Sequence, residues 1–231
     1  MRLFSAAPKP LTAREGYRLW AESYGDENPV TALDNAAVQG LTPALAGKAL
    51  LDAGCGTGSR LRPAGAGEPR AAVGIDLVPQ MLRRGRHDGP ALALAAADVR
   101  ALPFGAGTFE VVWCRLVVGY VAELATVYAE LGRVTRRGGC VIVTDFHPAA
   151  ARAKLVRNCW DGQGGVHVLE HHTHEAAAHR AAAGSAGLSL DVEVNQVVGP
   201  EVRAFYAAAG MLDRYEQQSG MPLVLALRFM N

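Results

Sequence analysis

Short apolar runs separated by longer amphipathic stretches make up most of the chain. Five of these runs lie in its first two thirds and predict parallel strands buried on both faces: residues 49–53, 71–75, 91–96, 109–114 and 139–144. Helical patterns separate most of them, notably residues 121–136 with Gly138-Gly139 as the expected C-cap. Residues 188–198 and 222–229 predict two further strands. The alternation predicts an α/β fold with a doubly wound, mostly parallel, seven-stranded sheet and flanking helices.

The segment before the first strand predicts two helices. Tyr17, Trp20 and Tyr24 recur at spacings of three and four within residues 12–24, which places the three rings on one helical face. Residues 31–46 predict a second helix, which the chain enters through Asn28-Pro29. We therefore expect the N-terminal segment to form a helical lid with an aromatic face.

The pattern changes after residue 146. Residues 147–172 place three glycines between two short apolar–polar segments, which predicts a hairpin or an irregular flap inserted after the fifth strand. Thr173 is a predicted N-cap of a helix that runs to about Ala186. Residues 200–219 predict another helix before the last strand.

A glycine-rich turn, LLDAGCGTGSR at residues 50–60, follows the first strand. Its glycines are Gly54, Gly56 and Gly58. A dinucleotide turn has the pattern G-x-G-x-x-G, but Ser59 stands at its sixth position here. Asp52 puts a carboxylate beside the turn, which disfavours a pyrophosphate and favours a cationic nucleoside. S-adenosylmethionine has this chemistry, because it joins an adenosine and an amino-acid tail through a methylated sulfonium.

Two further carboxylates end the next two strands. Asp76 ends the second strand, where an acidic side chain can accept both ribose hydroxyls of a nucleoside. Asp98 ends the third strand and is placed to accept from an adenine amine, with the main-chain amide of Val99 beside it. Asp76 alone could be a helix cap and Asp98 alone a turn residue. Their order, each at the end of a strand after the glycine turn, favours a nucleoside site.

These residues resemble the class I S-adenosylmethionine-dependent methyltransferases, in particular the small-molecule branch with the ubiquinone/menaquinone and malonyl-carrier-protein methyltransferases. DAGCGTG at 52–58 resembles the first motif of that family, GIDLVPQML at 74–82 the second and ADVRALPF at 97–104 the third. FEVVWC at 109–114 and the segment 131–146 are similar to its later strands.

The lid also resembles this branch. YRLWAESYGDENP at 17–29 is similar to its aromatic lid, with Arg18 and Gly25 where the branch has aspartates. Gly119-Tyr120 stands where many relatives have a pair of histidines. The resemblance extends over about residues 15 to 146.

The resemblance implies a single methyltransferase domain over residues 1–231 that binds S-adenosylmethionine and releases S-adenosylhomocysteine. Its expected parts are a lid helix at 12–30, a cofactor-binding core at 47–146, a flap at 147–175 and the C-terminal part of the sheet at 176–231. The expected cofactor-binding residues are Tyr17, Asp52, Gly54, Cys55, Gly56, Gly58, Asp76, Leu77, Met81, Asp98, Val99 and Cys114. We expect methyl transfer by in-line displacement to an O, N or C nucleophile of a small molecule.

Three residues are candidates for the chemistry at the acceptor. His147 follows the fifth strand and titrates near neutral pH, so it is the first candidate for a general base; a surface histidine is the alternative. Arg115 follows the fourth strand and can hold an acceptor carboxylate or enolate in a fork, or form a salt bridge under the lid. Tyr24 is expected to close over the ligand together with Tyr17.

The histidine-rich segment EHHTHEAAAH, residues 170–179, predicts no metal site. His171 and His172 are adjacent and would point to opposite faces of a strand, while His174 and His179 are five residues apart on the expected helix. No cysteine or carboxylate motif completes a set of ligands. We expect one of these histidines to reach the acceptor pocket from the flap.

Composition and charge rank the other functions that the sequence allows. The formal net charge of +1 gives little support to an RNA partner, so an RNA or protein methyltransferase is the secondary hypothesis. The alternative outside enzymes is a non-catalytic protein that binds S-adenosylmethionine or another nucleoside. A dehydrogenase is the third and least favoured hypothesis.

The cellular setting is predicted from the same composition. The four cysteines have no paired spacing, which favours free thiols in a reducing cytoplasm. The N-terminal MRLFSAAPKP is too short an apolar stretch for a signal sequence, and no run is long enough for a membrane span. We expect a cytoplasmic monomer or homodimer.

Overall fold

The computed structural model describes residues 9–25, 27–62, 67–87 and 92–231. Its helices are α1 Ala13–Trp20, α2 Pro29–Leu41, α3 Pro79–His87, α4 Leu124–Val134, α5 Pro148–Arg152, α6 Ala176–Ser185, α7 Arg203–Ala208 and α8 Leu212–Gln218. Its strands are β1 Ala49–Ala53, β2 Ala71–Asp76, β3 Ala93–Ala96, β4 Phe109–Arg115, β5 Thr135–Phe146, β6 Asn158–Trp160, β7 Val166–Val168, β8 Ser189–Val197 and β9 Pro222–Met230. Residues 1–8, on which the expectation about a signal sequence rests, lie outside the described residues, as does residue 91.

Seven strands form one sheet in the order β3-β2-β1-β4-β5-β9-β8. The first five are parallel, whereas β9 runs antiparallel to both β5 and β8. The predicted doubly wound, mostly parallel sheet is therefore confirmed. The chain winds outward from β1 through β2 to β3 and then returns to place β4 on the other side of β1. This reversal makes the carboxyl ends of β1 and β4 the topological switch point, where sheets of this kind bind ligands.

The central strands are apolar because both faces of the sheet are covered. All five residues of β1 are buried, and six of the seven in β4. The main core packs α4 and α6 on one face, with Tyr128, Leu131 and Phe229 fully buried within it. A second core packs α2 on the other face. Within the described residues, no helix has both the length and the apolar character needed to cross a membrane.

The predicted C-cap of the helix before the fifth strand, Gly138-Gly139, was wrong. The helix α4 ends at Val134, where the Thr135 hydroxyl donates to the Leu131 carbonyl at 2.6 Å. The strand β5 begins at once, so Gly138-Gly139 lies inside this strand rather than capping a helix. The Gly138 amide donates to the Asn231 carbonyl at 2.8 Å, which ties this segment to the C-terminus.

The predicted N-cap Thr173 was also wrong. The helix α6 begins at Ala176, because the Glu175 carbonyl accepts from the Ala178 amide at 2.8 Å and the His179 amide at 3.3 Å. The preceding segment is held away from the helix, since the His172 amide donates to the Gly119 carbonyl at 2.7 Å.

The lid and the flap pack against each other. The predicted hairpin is present as the antiparallel pair β6–β7, and α5 precedes it. Gly16 of α1 lies so close to the hairpin that a Cβ there would collide with the Leu169 side chain. The Leu11 amide donates to the Val168 carbonyl at 2.9 Å, which joins the N-terminal segment to β7. These contacts make one wall from two segments that are far apart in sequence.

We predict that Gly85→Ala destabilises the protein by about 2 kcal/mol, because a Cβ at this helical position would collide with the main-chain oxygen of Thr57 in the glycine-rich turn. Gly40→Ala is the matched control: Gly40 also lies in a helix, but no atom beyond that helix lies within 4 Å of the place a Cβ would take. The control should gain about 0.5 to 1 kcal/mol, since alanine is the better helix former. Urea unfolding of both variants measures the two changes. Equal effects in the two variants would contradict the close packing of α3 on the turn.

Candidate functional site

A cavity of about 960 Å³ opens at the switch point. One half of it is lined where the parallel strands end, namely by residues 54–57 after β1, 76–78 at the end of β2, 98–100 after β3 and 115–117 at the end of β4. The other half is lined by α1, by residues 154–158 with Trp160 of the hairpin, and by side chains of α7 and α8. We call these the strand half and the flap half.

Most of the residues predicted from the sequence meet in this cavity. Its lining includes Tyr17, Tyr24, Gly54, Cys55, Gly56, Asp76, Leu77, Met81, Asp98, Val99 and Arg115. Four predicted residues do not line it: Asp52, Gly58, Cys114 and His147.

The glycine-rich turn forms the floor of the strand half. Gly54 adopts φ +87° and its amide, like that of Cys55, donates to the Ile75 carbonyl at 2.8 Å. A Cβ at Gly54 would collide with Val117, so glycine is required where the ends of β1 and β4 meet. Gly58, with φ +71°, packs against Leu92 and Leu94 below the turn, which explains why it is absent from the lining.

Asp76 closes the turn from the end of β2. Its two carboxylate oxygens accept from the main-chain amides of Gly56 and Val78, each at 2.8 Å. Burial nevertheless raises the pKa of this carboxyl above its ordinary value. Each oxygen keeps further acceptor capacity. The side chain is thus rigidly aimed at the cavity and able to accept hydroxyl hydrogens from a ligand.

Asp98 is held by Arg100 at the end of β3. Its Oδ2 accepts from Arg100 Nη2 at 2.6 Å and its Oδ1 from the Arg100 amide at 2.9 Å. These hydrogen bonds lower the pKa of the carboxyl, so it stays ionised at neutral pH. The adjacent Val99 is buried and lines the cavity with Leu77 and Met81, which gives the strand half an apolar wall.

Asp52 lies beneath the turn and has no exposed surface. Neither of its carboxylate oxygens has a hydrogen-bond partner among the described residues. Burial raises the pKa of this carboxyl to about 6, against the opposing attraction of Arg115 and Arg60. Asp52 therefore acts on the cavity as a charge beneath the glycine turn and not as a contact in its lining.

Arg115 belongs to a buried ion pair, the alternative considered for it from the sequence. Its guanidinium donates to Asp34 Oδ2 at 2.6 Å and to Asn35 Oδ1 at 2.6 Å. Asp34 also accepts from the Thr144 hydroxyl at 2.6 Å and lies 3.4 Å from Arg60 Nη2. Sequence reasoning missed Asp34 and Arg60, because one acid on a helix and one arginine after a turn carry no motif.

His147 and Cys114 lie outside the cavity for separate reasons. His147 caps α5: its Nδ1 accepts from the Ala149 amide at 3.0 Å and its Nε2 lies 3.1 Å from Asn195 Oδ1. Burial lowers the pKa of this imidazole. Cys114 is fully buried in the main core, where burial raises the pKa of its thiol. Neither side chain is placed to touch a ligand in the cavity.

Aromatic rings line the cavity on the side of the lid and the hairpin. The Tyr17 hydroxyl lies 3.0 Å from the Tyr120 hydroxyl, and the Tyr17 ring stacks on Trp20 with centroids 5.7 Å apart. Trp20 in turn contacts Trp160 of β6 at 5.1 Å between centroids. Burial raises the pKa of Tyr24 to about 12, so its phenol is neutral and can donate a hydrogen bond. The predicted aromatic face of the lid is therefore turned into the cavity, although α1 ends before Tyr24.

None of the four histidines of residues 171–179 is in the cavity lining, contrary to our expectation. Gly119 leaves the space that the His171 ring fills, with His171 Nε2 3.8 Å from Asp145 Oδ1. His179 Nδ1 lies 2.9 Å from the Tyr128 hydroxyl in the core, and His174 Nε2 bonds to the Val121 carbonyl. In the described part of the chain, no group of three or more His, Cys, Asp or Glu side chains is arranged to hold a metal ion.

Comparison with known proteins finds matches for the part of the chain that forms the strand half. Residues 51–143 match the family model described as a methyltransferase domain. The chain is 38% identical over 98 residues to the malonyl-[acyl-carrier protein] O-methyltransferase of Pseudescherichia vulneris, covering 41% of this chain and 38% of that relative. It is 34% identical over 111 residues to the demethylmenaquinone methyltransferase of Renibacterium salmoninarum, covering 46% of this chain and 44% of that relative. The chain thus matches less than half the length of these curated relatives.

Solved structures extend the likeness of the fold over most of the chain. An S-adenosylmethionine dependent methyltransferase from Mesorhizobium loti superposes with a TM-score of 0.68 at 20% identity, covering 88% of this chain and 100% of that one. The geranyl diphosphate C-methyltransferase from Streptomyces coelicolor A3(2) gives a TM-score of 0.63 at 16% identity, covering 87% and 77%. At these identities the likeness shows the fold alone.

We predict that Asp52→Asn stabilises the ligand-free protein at pH 7 to 8 by up to about 3 kcal/mol. The folded-state pKa is raised from 3.8 to about 6. Burial of the charged carboxylate therefore costs stability above pH 6, and this cost disappears as the pH falls towards 4. Thermal unfolding from pH 4 to 8 should show a gain in Tm that shrinks below pH 6. Asp191→Asn, at an exposed ion pair with Arg228, is the control and should change little. A pH-independent gain, or a loss, at Asp52 would contradict the assignment.

Proposed function

We propose that this chain, which carries a class I S-adenosylmethionine-dependent methyltransferase domain of the small-molecule branch, binds S-adenosylmethionine and transfers its methyl group to a small molecule. The observation that carries the proposal is the closed glycine turn with the Asp76 carboxylate above it, at the switch point of the sheet. The cavity continues beyond this turn into the flap half, which leaves space for a second molecule.

The residues of the strand half fit such a cofactor in three places. Asp76, already fixed by two amides, has the acceptor capacity for the ribose hydroxyls. Leu77, Met81 and Val99 supply an apolar wall for the adenine, with the Asp98 carboxylate near its edge. The unpartnered carboxylate of Asp52 provides a negative charge under the turn, which suits a ligand with a cationic sulfonium and ammonium group.

When bound, the cofactor supplies a methyl group that is released as its carbon–sulfur bond breaks, with the electron pair left on sulfur. The part of the protein is to align the acceptor with this carbon and to exclude water. Tyr17 and Tyr24 of the lid pack against Val78 and Met81 of the strand half and offer neutral phenols as hydrogen-bond donors. Tyr24 would position the acceptor. His147 lies outside the cavity and Arg115 is paired with Asp34, so neither takes part in the chemical step.

The described lining contains no histidine. Of its three carboxylates, Asp76 and Asp98 are engaged as described above, and Glu27 accepts from Asn35 Nδ2 at 2.8 Å. This arrangement favours acceptors that reach the site already deprotonated, since the lining holds no histidine and each of its carboxylates already accepts a hydrogen bond. The names of the relatives, a carrier-bound malonyl group and a demethylmenaquinone, describe small or carrier-bound acceptors and support the small-molecule branch. The cytoplasmic location and the monomeric or homodimeric state remain predictions from the sequence.

We predict that Asp76→Ala weakens binding of S-adenosylhomocysteine by at least about 100-fold, since two hydrogen bonds to a charged group contribute about 1.5 to 3 kcal/mol each. Isothermal titration calorimetry of the wild type, Asp76→Ala and the control Asp191→Ala measures this. Asp191 lies on β8, away from the cavity lining. The control should bind like the wild type.

Two results would overturn the proposed function. One is a wild-type protein that does not bind S-adenosylhomocysteine, and the other is an Asp76→Ala variant whose affinity is unchanged. Tight binding without methyl transfer to any of a broad panel of acceptors would instead favour a non-catalytic nucleoside-binding protein.

A further inference from the structure

We propose that Arg157, Tyr17 and Tyr120 form an anion subsite in the flap half, and that this subsite selects planar aromatic carboxylates as methyl acceptors. The role of these ligands as methyl acceptors rests on the proposed function, whereas the anion subsite itself rests on the geometry of the flap half.

The subsite brings together three distant segments of the chain. Arg157 precedes β6 and lines the cavity, with its guanidinium carbon 5.8 Å from the ring centroids of both Tyr120 and Phe146. Tyr17 is an electrostatic partner of Arg157, and its hydroxyl lies 3.0 Å from that of Tyr120. A forked cation beside two phenol groups is therefore presented to the cavity.

Arg157 lacks the carboxylate that the neighbouring arginines have. Arg115 and Arg60 share Asp34, and Arg100 pairs with Asp98. Across the described ranges, no carboxylate lies within the 4 Å of an ion pair from Arg157, and its electrostatic partners are tyrosines. Arg157 is half-buried at the cavity and its charge is offset only by aromatic faces. A bound anion would complete the site.

The charge of the flap half gives an independent reason to expect an anion. Lys154 and Arg214 also line this half, while the described carboxylates of the lining are Glu27, Asp76 and Asp98. Asp76 and Asp98 belong to the strand half, and Glu27 is held by Asn35. A cleft lined by one sign of charge attracts ligands of the opposite sign.

The walls of the subsite favour a flat ligand with a single charge. Trp20 and Trp160 line the flap half, and Tyr120 and Phe146 line the cavity beside the Arg157 guanidinium. Aromatic faces pack best against planar groups. The single charge and the forked donors of one guanidinium match a carboxylate, and the phenol hydroxyls beside it can donate further hydrogen bonds. A phosphate monoester carries about −1.5 to −2 charges at neutral pH, which Arg157 alone would leave partly uncompensated.

The first experiment compares 1-naphthoate with its neutral isostere 1-naphthamide, each titrated into the wild-type protein with and without S-adenosylhomocysteine. Calorimetry gives the affinities, and the fluorescence of Trp20 and Trp160 reports contact at the site. We expect the acid to bind at least about tenfold more tightly than the amide. Equal binding of the two would overturn the proposal, and tighter binding of 1-naphthyl phosphate than of 1-naphthoate would overturn the carboxylate assignment.

The second experiment tests Arg157 with a matched control. Arg157→Gln should abolish the preference for the acid and leave S-adenosylhomocysteine affinity within about threefold of the wild type. Arg152→Gln removes an exposed arginine of α5 that pairs with Glu175 outside the cavity lining, and it should keep the preference. Arg157→Lys retains the charge without the fork and should give an intermediate preference, which supplies the test if Arg157→Gln fails to fold. A full preference in a folded Arg157→Gln variant, or one unchanged in Arg157→Lys where the Gln variant does not fold, would overturn the proposal.

The outcomes separate this inference from the proposed function. A wild-type protein that prefers the acid but does not bind S-adenosylhomocysteine would retain the anion subsite and lose the methyltransferase assignment. One that binds S-adenosylhomocysteine without preferring the acid would keep the function and lose the subsite.

Discussion

The buried carboxylate of Asp34 holds together the elements that meet at the switch point. It projects from α2 and has no exposed surface. It accepts from Arg115 at the end of β4 and from Thr144 of β5, and it lies 3.4 Å from Arg60 just after the glycine turn. An uncompensated buried arginine would destabilise the fold by about 3 to 5 kcal/mol. The position of the cavity floor therefore depends on one charge supplied by a helix outside the family motifs.

Two buried carboxylates beneath the cavity, Asp34 and Asp52, differ in their hydrogen-bond partners and therefore have different roles. Asp34 has every partner that its charge requires, whereas Asp52 has no hydrogen-bond partner among the described residues. The first therefore fixes the framework. The second remains available to a cation above the glycine turn, and burial of its charge costs stability while that cation is absent. A site that gives up stability in this way for a ligand is a common arrangement in functional clefts.

The sequence predicted the strand half well because each of its features is local. The glycine turn and the acids at the ends of β2 and β3 depend on strand–turn–helix geometry, which spacing and hydrophobic pattern reveal. Arg157 and Trp160 gave no comparable signal. They reach the cavity only because the β6–β7 hairpin packs on α1 through Gly16 and Leu169, a contact between segments about 150 residues apart.

His147 and Cys114 were predicted as site residues but do not line the cavity, because side-chain direction also depends on packing. His147 follows β5 at the correct end of the sheet, but a proline at the next position starts a helix, and the imidazole becomes its cap. Cys114 and Arg115 are neighbours on β4, so they point to opposite faces, and only Arg115 reaches the cavity. Chain order locates the edge of the sheet, while the direction of each side chain depends on packing that a single sequence does not display.

The most direct test of the account is a crystal structure of the protein with S-adenosylhomocysteine. The account predicts that the ligand lies across the glycine turn, with its ribose hydroxyls on Asp76, its adenine between Leu77 and Val99, and its sulfur facing the flap half near Tyr17. A ligand bound elsewhere, or a ribose that makes no contact with Asp76, would contradict it.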